Sequence, residues 1–401
     1  MTLPSDWQSL TINELGIVVS GGTPSTTDDT NFGDEISWIT PADLTDYREI
    51  FIGKGRKSIT AKGLSSSSAR LIPKNSILFS SRAPIGYVAI ASNELTTNQG
   101  FKTLIPNDDV YPKYVYYYLK SAKPLAESMA SGTTFKELSG SAFKNMPIPL
   151  APFGEQKRIV AKIEELLSEL DSASSVLEKS KISTSAYWRA KKSKLVIDVD
   201  LPTITLSEIT ERIQIGPFGS QLHKHDYIEG GIPLINPANI SDGKIYPNHK
   251  KSITKQKYSE LPMYHLLEGD VVLGRRGEMG RSALVTKAES GWFCGTGSIF
   301  IRPDETKLRP AFLAELLSSE YAVAYLENEA GGTTMSNLNK KILANFPVPL
   351  PSPERQDEIL SEIEALKTEV STTKKIIANS LIMSSSLKQS ILSKAFKGEL
   401  A

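Results

Sequence analysis

Hydrophobic positions along this chain follow two periods. Over 159–177, Ile159, Ile163, Leu166, Leu170, Ala173 and Leu177 step by four and three residues alternately. Over 359–377, Ile359, Ile363, Leu366, Val370, Thr373 and Ile377 do the same, continued by Ser380, Ser384, Leu387 and Ile391. That spacing is an a/d heptad seam with Glu and Lys at many flanking positions, and it predicts two long amphipathic helices. Pro147-Ile148-Pro149 and Pro349-Leu350-Pro351 precede them. Proline lacks an amide proton and its ring collides with the preceding turn, so neither helix extends backwards. About 40 helical residues would run about 60 Å. Elsewhere the runs are short and β-like, as in Ser76-Ile77-Leu78-Phe79 and Asp270-Val271-Val272-Leu273, set between Gly-, Pro- and Asn-rich turns. A Tyr-rich helix is expected over 112–120 and its counterpart over 310–326. The order is globular head, helix, globular head, helix.

The two halves repeat each other. Asn145-Met146-Pro147-Ile148-Pro149-Leu150 returns as Asn345-Phe346-Pro347-Val348-Pro349-Leu350, an offset of 200 in a chain of 401 residues. Gly132-Thr133-Thr134, Leu138 and Gln156 recur at the same offset as Gly332-Thr333-Thr334, Leu338 and Gln356. With slightly smaller offsets, Pro41-Ala42-Asp43 matches Pro237-Ala238-Asn239. Ile77-Leu78-Phe79-Ser80-Ser81-Arg82 with Gly86 matches Val271-Val272-Leu273-Gly274-Arg275-Arg276 with Gly280, and Gly100 and Pro106 match Gly297 and Pro303. A repeat this long is a duplicated domain, not a solenoid unit. Two readings of the helices stay open: each packs on its own head, or the two pair. Matched seams in equal register favour pairing.

Composition narrows the class. Hydrophobic residues at 40 % and charged residues at 23 % are those of a soluble globular chain, long enough for two or three domains. No run approaches the ~18 uninterrupted apolar residues of a membrane span. The start, Met1 to Trp7, is polar and lacks the basic and apolar regions of a secretory leader, so a cytoplasmic location is expected. Cys294, the only cysteine, excludes an internal disulfide and fits a reducing compartment.

Known catalytic patterns are missing. There is no GxxxxGK phosphate loop followed by Ser or Thr, and no serine nucleophile elbow. Gly274-Arg275-Arg276-Gly277-Glu278-Met279-Gly280 lacks the following helix that a dinucleotide fingerprint needs. Asn236-Pro237-Ala238-Asn239 resembles the Asn-Pro-Pro-aromatic motif of amino-methyltransferases but lacks the second Pro and the stacking aromatic. Pro303-Asp304-Glu305-Thr306-Lys307 holds the letters of a nuclease motif within a single turn, whereas a Mg²⁺ nuclease draws its ligands from separate strands. His223 and His225 would face one side of a strand, without further ligands at suitable spacing.

Charge distribution says more than its sum. The formal charge of +1 averages acids at the helix starts (Glu164, Glu165, Glu169; Glu358, Glu362, Glu364) against bases in the loops of the heads. Phosphate contact calls for Lys, Arg, small hydroxyls and free backbone amides in loops. The first half offers Ser20-Gly21-Gly22-Thr23-Pro24-Ser25, then Lys54, Arg56 and Lys57, then Ser80-Ser81-Arg82. The second offers Gly219-Ser220-Gln221-Leu222-His223-Lys224, then Lys250, Lys251, Lys255 and Lys257, then Arg275, Arg276 and Arg281. For any one Lys, ordinary solvated charge is the favoured reading. As a set, the loops fall at matching places while their residues differ, which is what two readers of different sequences need.

These features together resemble the DNA-specificity subunit of type I restriction-modification systems, over nearly the whole chain. Pro147-Ile148-Pro149-Leu150 with Gln156, and Pro347-Val348-Pro349-Leu350 with Glu354-Arg355-Gln356, are similar to the family's junction between recognition domain and helix. The run from Leu387 to Leu400, ending Ala395-Phe396-Lys397-Gly398-Glu399-Leu400, is similar to its carboxy-terminal signature. Trp7, Gly21-Gly22-Thr23-Pro24 and Thr133-Thr134 also resemble family features. Departures are Tyr187-Trp188-Arg189-Ala190-Lys191 at the end of the first helix, without Gly-Glu-Leu, and Gly216-Pro217-Phe218-Gly219-Ser220 in place of Gly-Gly-Thr-Pro.

The resemblance implies an α+β chain. Two tandem mixed α/β target-recognition domains (1–152 and 196–351) would be separated by two long helices (153–195 and 352–401). These would pair as an antiparallel coiled coil with a pseudo-two-fold axis. It implies that each head reads one half of a split double-stranded DNA target, the stem setting the gap. Two methyltransferase subunits using S-adenosylmethionine, and two restriction subunits using ATP and Mg²⁺, would be partners, with no catalytic site, metal or cofactor in this chain. Expected DNA contacts are Thr23, Ser25, Lys54, Ser81, Arg82, Asn98 and Gln99 in the first head. In the second they are Ser220, His223, Lys224, Asn239, Arg275, Arg276 and Arg281. A coiled-coil scaffold without DNA binding, an enzyme with an unrecognised site, and a modification-only or other phage-defence system remain alternatives.

Overall fold

The computed structural model describes residues 3–132, 136–198, 200–248, 250–330 and 338–400, except the side chains of Ser220 and Lys224. Thr133, Thr134, Gly332, Thr333 and Thr334, singled out in the repeat, lie outside the described residues. The chain divides into two compact units, Met1–Leu177 with Asn379–Ala401, and Glu178–Ala378. Each unit holds one head, the start of the long helix that follows it, and the end of the other long helix.

In the first head, β1 (Gln8–Thr11), β2 (Gly16–Ser20), β3 (Phe51–Ile52), β4 (Ile77–Ser81), β5 (Ile85–Ala91) and β6 (Phe101–Pro106) precede α1 (Pro112–Ser121) and β7 (Pro147–Leu150). A five-stranded sheet runs β2-β6-β4-β5-β3, antiparallel except for the pair β3·β5. Ile77, Phe79, Leu104, Tyr114, Phe143 and Ile148 are fully buried in one core against α1. The long helix α2 (Phe153–Val196) follows. The second head repeats the plan with β8 (Thr203–Thr205), β9 (Thr210–Ile215), β10 (Val271–Gly274), β11 (Ser282–Leu284), β12 (Ser298–Pro303), α3 (Pro310–Leu317) and β13 (Pro347–Pro349) before α4 (Pro353–Ala395). Its sheet runs β9-β12-β10-β11.

The repeated Pro-x-Pro strand and glutamine have a shared structural cause. β7 pairs with β1 alone, so the missing proline amides leave no gap in a larger ladder. The prolyl carbonyls accept from tyrosines instead: Tyr114 Oη donates to Pro149 O (2.7 Å) and Tyr118 Oη to Pro147 O, while Tyr321 Oη donates to Pro347 O (2.9 Å). Gln156 and Gln356 are 1 % and 0 % exposed. Gln156 Oε1 accepts the amide of Tyr111 (2.7 Å) and Nε2 donates to Ala151 O (2.9 Å) and Asp109 O (3.2 Å). Gln356 does the same with the Arg309 amide (2.7 Å), Pro351 O (2.9 Å) and Lys307 O (2.8 Å). Each carboxamide thereby ties the first turn of a long helix to the turn that opens a helix of its own head.

Two features differ from the sequence expectation. The helix expected over 310–326 is two, Pro310–Leu317 and Glu320–Ala330. Ser318 Oγ donates back to Ala314 O (2.9 Å) and Ser319 Oγ accepts from Ala322 N (3.3 Å), so the serines close one helix and open the next. On α4, Ile359, Ile363, Leu366, Val370 and Ile377 are buried, as are Ser384 and Ile391, but Leu387 is 49 % exposed and Lys388 takes the inner position. A straight helix drifts against a strict heptad, which moves the covered stripe by one residue over several turns. On α2, Ile159 and Ile163 are buried and Leu166, Leu170 and Leu177 half-buried.

Within each unit the two long helices run antiparallel. In the first, Ser174 Oγ and Ser384 Oγ share a hydrogen bond (2.8 Å), and Lys388 pairs with Asp171. Ile159, Val160 and Ile163 share a core with Leu392, Ala395 and Phe396, whose ring meets Tyr114 and Tyr118 edge-on at 5.1 and 5.2 Å. In the second, Val196 shares a core with Ile359 and Ile363. No helix among the described residues is long and apolar enough to cross a membrane.

Candidate nucleic-acid interface

One end of each central sheet gathers several loops, among them the one that carries Arg82 in the first head and the one that carries Arg275 and Arg276 in the second. In the first head the chain leaves β2 through Gly21-Gly22, where Gly21 N donates to Phe101 O (3.3 Å) and Gly22 N to Thr97 O (2.9 Å). A Cβ on Gly21 would stand 2.0 Å from Asn98 O, and one on Gly22 2.1 Å from Ala69 N, so only glycine threads this passage. Ser81 N donates to Gly100 O (2.7 Å) and Leu138 N to Ser81 O (2.9 Å). Loops 21–25, 81–84, 98–100 and the segment entering Leu138 therefore meet at one edge. The second head repeats this frame: Gly216 N donates to Ser298 O (2.9 Å), Arg275 N to Gly297 O (2.9 Å), and Leu338 N to Arg275 O (3.0 Å). A Cβ on Gly216 would stand 1.9 Å from Gly295 O. Gly216 thus does what Gly21 does, and beyond this strand exit the loops of the two heads differ in sequence.

The repeated Pro-Ala-Asp and Pro-Ala-Asn turns are caps. Asp43 Oδ2 accepts from Thr40 N (2.8 Å) and Oγ1 (2.7 Å), and Asn239 Oδ1 accepts from Asn236 N (3.0 Å). This local capping, repeated at both sites, accounts for the resemblance of Asn236-Pro237-Ala238-Asn239 to a methyltransferase motif. Asp43 also accepts from Arg56 N (2.9 Å), which fixes the loop carrying the exposed Lys54.

The expected contact residues separate by exposure. Ser25, Lys54, Gln99, His223 and Arg276 are exposed, and Thr23, Arg82, Asn98, Arg275 and Arg281 half-buried. Thr23 Oγ1 is buried with no hydrogen-bond partner among the described residues, and Asn98 Oδ1 accepts from Gly100 N (2.9 Å). Ser81 and Asn239 are corrections. Ser81 is fully buried and its Oγ donates to Gly100 O (3.1 Å), while Asn239, 8 % exposed, donates through Nδ2 to Tyr246 O (2.9 Å). Both side chains are spent on the fold. The side chains of Ser220 and Lys224 lie outside the described residues. His225 stands in a short 3-10 turn, Lys224–Asp226, rather than on a strand, its ring stacked 5.3 Å from that of His223. Among the described residues no group of three His, Cys, Asp or Glu is placed to hold a metal.

The arginines differ in their partners. Arg275 Nε donates to Leu338 O (3.0 Å), and burial, with Arg276 beside it, lowers its pKa. Arg281 donates to Glu278 (2.7 Å) and Pro237 O (3.3 Å). Arg276 has no partner among the described residues and faces solvent. In the first head Arg82 stands 3.6 Å from Glu137, which also lies 3.9 Å from Lys102. Lys102 and Glu137 escape a reading of the sequence: Lys102 is a single cation within the strand Phe101-Lys102-Thr103-Leu104, its only signal.

A frame built twice, with unlike side chains at its edge, is the plan of a duplicated, two-headed chain. The type I restriction modification DNA specificity domain matches the chain twice, over 4–180 and 205–379. The chain belongs to that family. It is 41 % identical over 192 residues to the MjaIX type I restriction enzyme specificity subunit of Methanocaldococcus jannaschii, covering 46 % of this chain and 44 % of that one. With the MjaVIII specificity subunit of the same organism it shares 23 % identity over 95 % of this chain and 93 % of the relative. Two solved structures share the fold at 20 % identity over the whole chain. One comes from work on complex assembly and conformational transition of the type I R-M system (TM-score 0.70, 100 % of that chain), the other is the HsdS subunit from Thermoanaerobacter tengcongensis (TM-score 0.64, 98 % of that chain).

Proposed function

We infer that the chain is the DNA-reading subunit of a type I restriction-modification complex, each head recognising one half of a split duplex target. The observation that carries this is the twice-built loop frame, identical in its backbone bonds at Gly21/Gly216, Ser81/Arg275 and Leu138/Leu338 and different in its exposed side chains. A shared frame sets the distance of approach through phosphate contacts, while differing tips select bases. Contacts are assigned to Thr23, Ser25, Lys54, Arg82, Asn98 and Gln99 in one head and to Ser220, His223, Lys224, Arg275, Arg276 and Arg281 in the other. The antiparallel stem spaces the heads, and the boundaries at 152, 195 and 351 separate reader from spacer.

Two such heads suit two copies of an adenine methyltransferase subunit carrying S-adenosylmethionine, and two restriction subunits supplying ATP- and Mg²⁺-dependent cleavage. This chain then supplies address and scaffold, not chemistry, in the cytoplasm. Titrating duplex DNA against the chain with its modification partners across a salt series tests the reading. The logarithm of the affinity should fall linearly with the logarithm of salt concentration, as released counter-ions require. Salt-insensitive or undetectable binding would favour a coiled-coil scaffold.

A further inference from the structure

The first head contains a cation that neither its core nor its exposed loops employ. Lys102 lies in β6 between Phe101 and Thr103, both fully buried, and is itself 8 % exposed. An ammonium offers three protons, yet Lys102 Nζ donates no hydrogen bond among the described residues. Its ion pair is with Glu137 Oε1 at 3.9 Å, while Glu137 Oε2 stands 3.6 Å from Arg82 Nη1. Both separations exceed hydrogen-bond length. Desolvation lowers the Lys102 pKa against the pull of Glu137. A buried ammonium is offset only by close, well-aligned partners, and one distant carboxylate shared between two cations does not provide them. Glu137 is held at this edge by backbone bridges to Arg82 and Ser131. The second head has Ile299 at the place of Lys102, facing Ile215 as Lys102 faces Ser20, so the device belongs to one head.

We propose that Glu137 is an internal stand-in for a DNA phosphate, holding Arg82 and Lys102 in the free head until a backbone phosphate of the duplex displaces its carboxylate and takes both cations as donors. A backbone phosphodiester offers two charged oxygens, as a carboxylate does, but it is free of the backbone bridges that hold Glu137 beyond hydrogen-bond length of both cations, so it can close on both donors. The proposal rests on the DNA-reading function above. Exchange of one anion for another lets the head keep a buried lysine without an unpaired charge, and makes phosphate contact conditional on close docking.

The test is the affinity of the full chain for a random-sequence duplex across a sodium chloride series, for wild type, Glu137→Gln, Lys102→Met and the double variant. Lys102→Met keeps length and removes the desolvated charge, so its melting temperature should hold or rise, and the variant remains readable. Glu137→Gln should tighten binding about tenfold by removing the competitor. Lys102→Met should weaken binding and reduce the salt slope by about 0.9, one phosphate contact. In the Lys102→Met background the gain from Glu137→Gln should fall to about twofold or less, because the two residues act on one contact. An equal gain in both backgrounds would mean simple repulsion between Glu137 and DNA, and an unchanged slope in Lys102→Met would mean no phosphate contact; either overturns the proposal. Wild-type protein that binds duplex while no variant shifts it overturns the exchange alone. Wild-type protein without salt-dependent affinity overturns the DNA reading as well.

Discussion

Arg275 and Arg276 are neighbours in sequence with different work. Arg275 secures its loop through Nε to Leu338 O, whereas Arg276 is exposed and without a partner among the described residues. Arg276→Ala should therefore weaken duplex binding, lower the salt slope by about 0.9 and leave the melting temperature unchanged. A lowered melting temperature with unchanged affinity would assign Arg276 to the fold. Gln356→Ala should do the reverse. It leaves one buried amide and two carbonyls without their partner, a loss on the order of 3 kcal/mol, seen as a lower denaturation midpoint. At this scale the sequence was informative where a glycine stands at the matching place in both halves, as at Gly21 and Gly216. It was silent on Ser81 and Asn239, because a small polar side chain caps a turn as readily as it meets a ligand, and the neighbours decide which. Lys102 was missed for the opposite reason: a lone lysine in a β run reads as a solvent-facing position.

At the scale of elements, heptad spacing located both long helices, whose starts follow from the prolines before them. The drift of the covered stripe past Leu387 was not legible, since it accumulates with helix length and not from any one residue. The break at Ser318 and Ser319 was hidden by an apolar run that continues through it. Ile363, 3 % exposed in the core of the second unit, should cost about 2–5 kcal/mol when cut to alanine. The end of α2 carries a separate test. Lys192 Nζ meets Glu315 at 2.7 Å and Ser318 Oγ at 2.6 Å, with 11 % and 26 % of the two charged side chains exposed. Breaking such a pair from one side strands a buried charge, so Glu315→Ala should destabilise by about 3–5 kcal/mol, whereas replacing both residues with well-packed apolar ones should be near neutral. Chemical denaturation of the two variants checks the order; a single Glu315→Ala as mild as the double replacement would contradict it.

At the scale of the molecule, duplication is the fact from which most else follows. Internal similarity fixed the number of heads and their order, and the paired backbone bonds in the two loop frames are its physical residue. Which base each head prefers was not legible, because direct readout depends on side-chain placement at loop tips that differ between the heads. Modularity is the consequence open to trial: exchanging 1–152 for the head of another family member should change one half of the target and leave the other. Change in both halves would contradict independent readers. The most direct measurement maps methylated adenines in host DNA by single-molecule sequencing, with and without this chain, the modification partner being expressed in both. The account predicts one split motif that disappears when the chain is removed; an unchanged methylation map would contradict it.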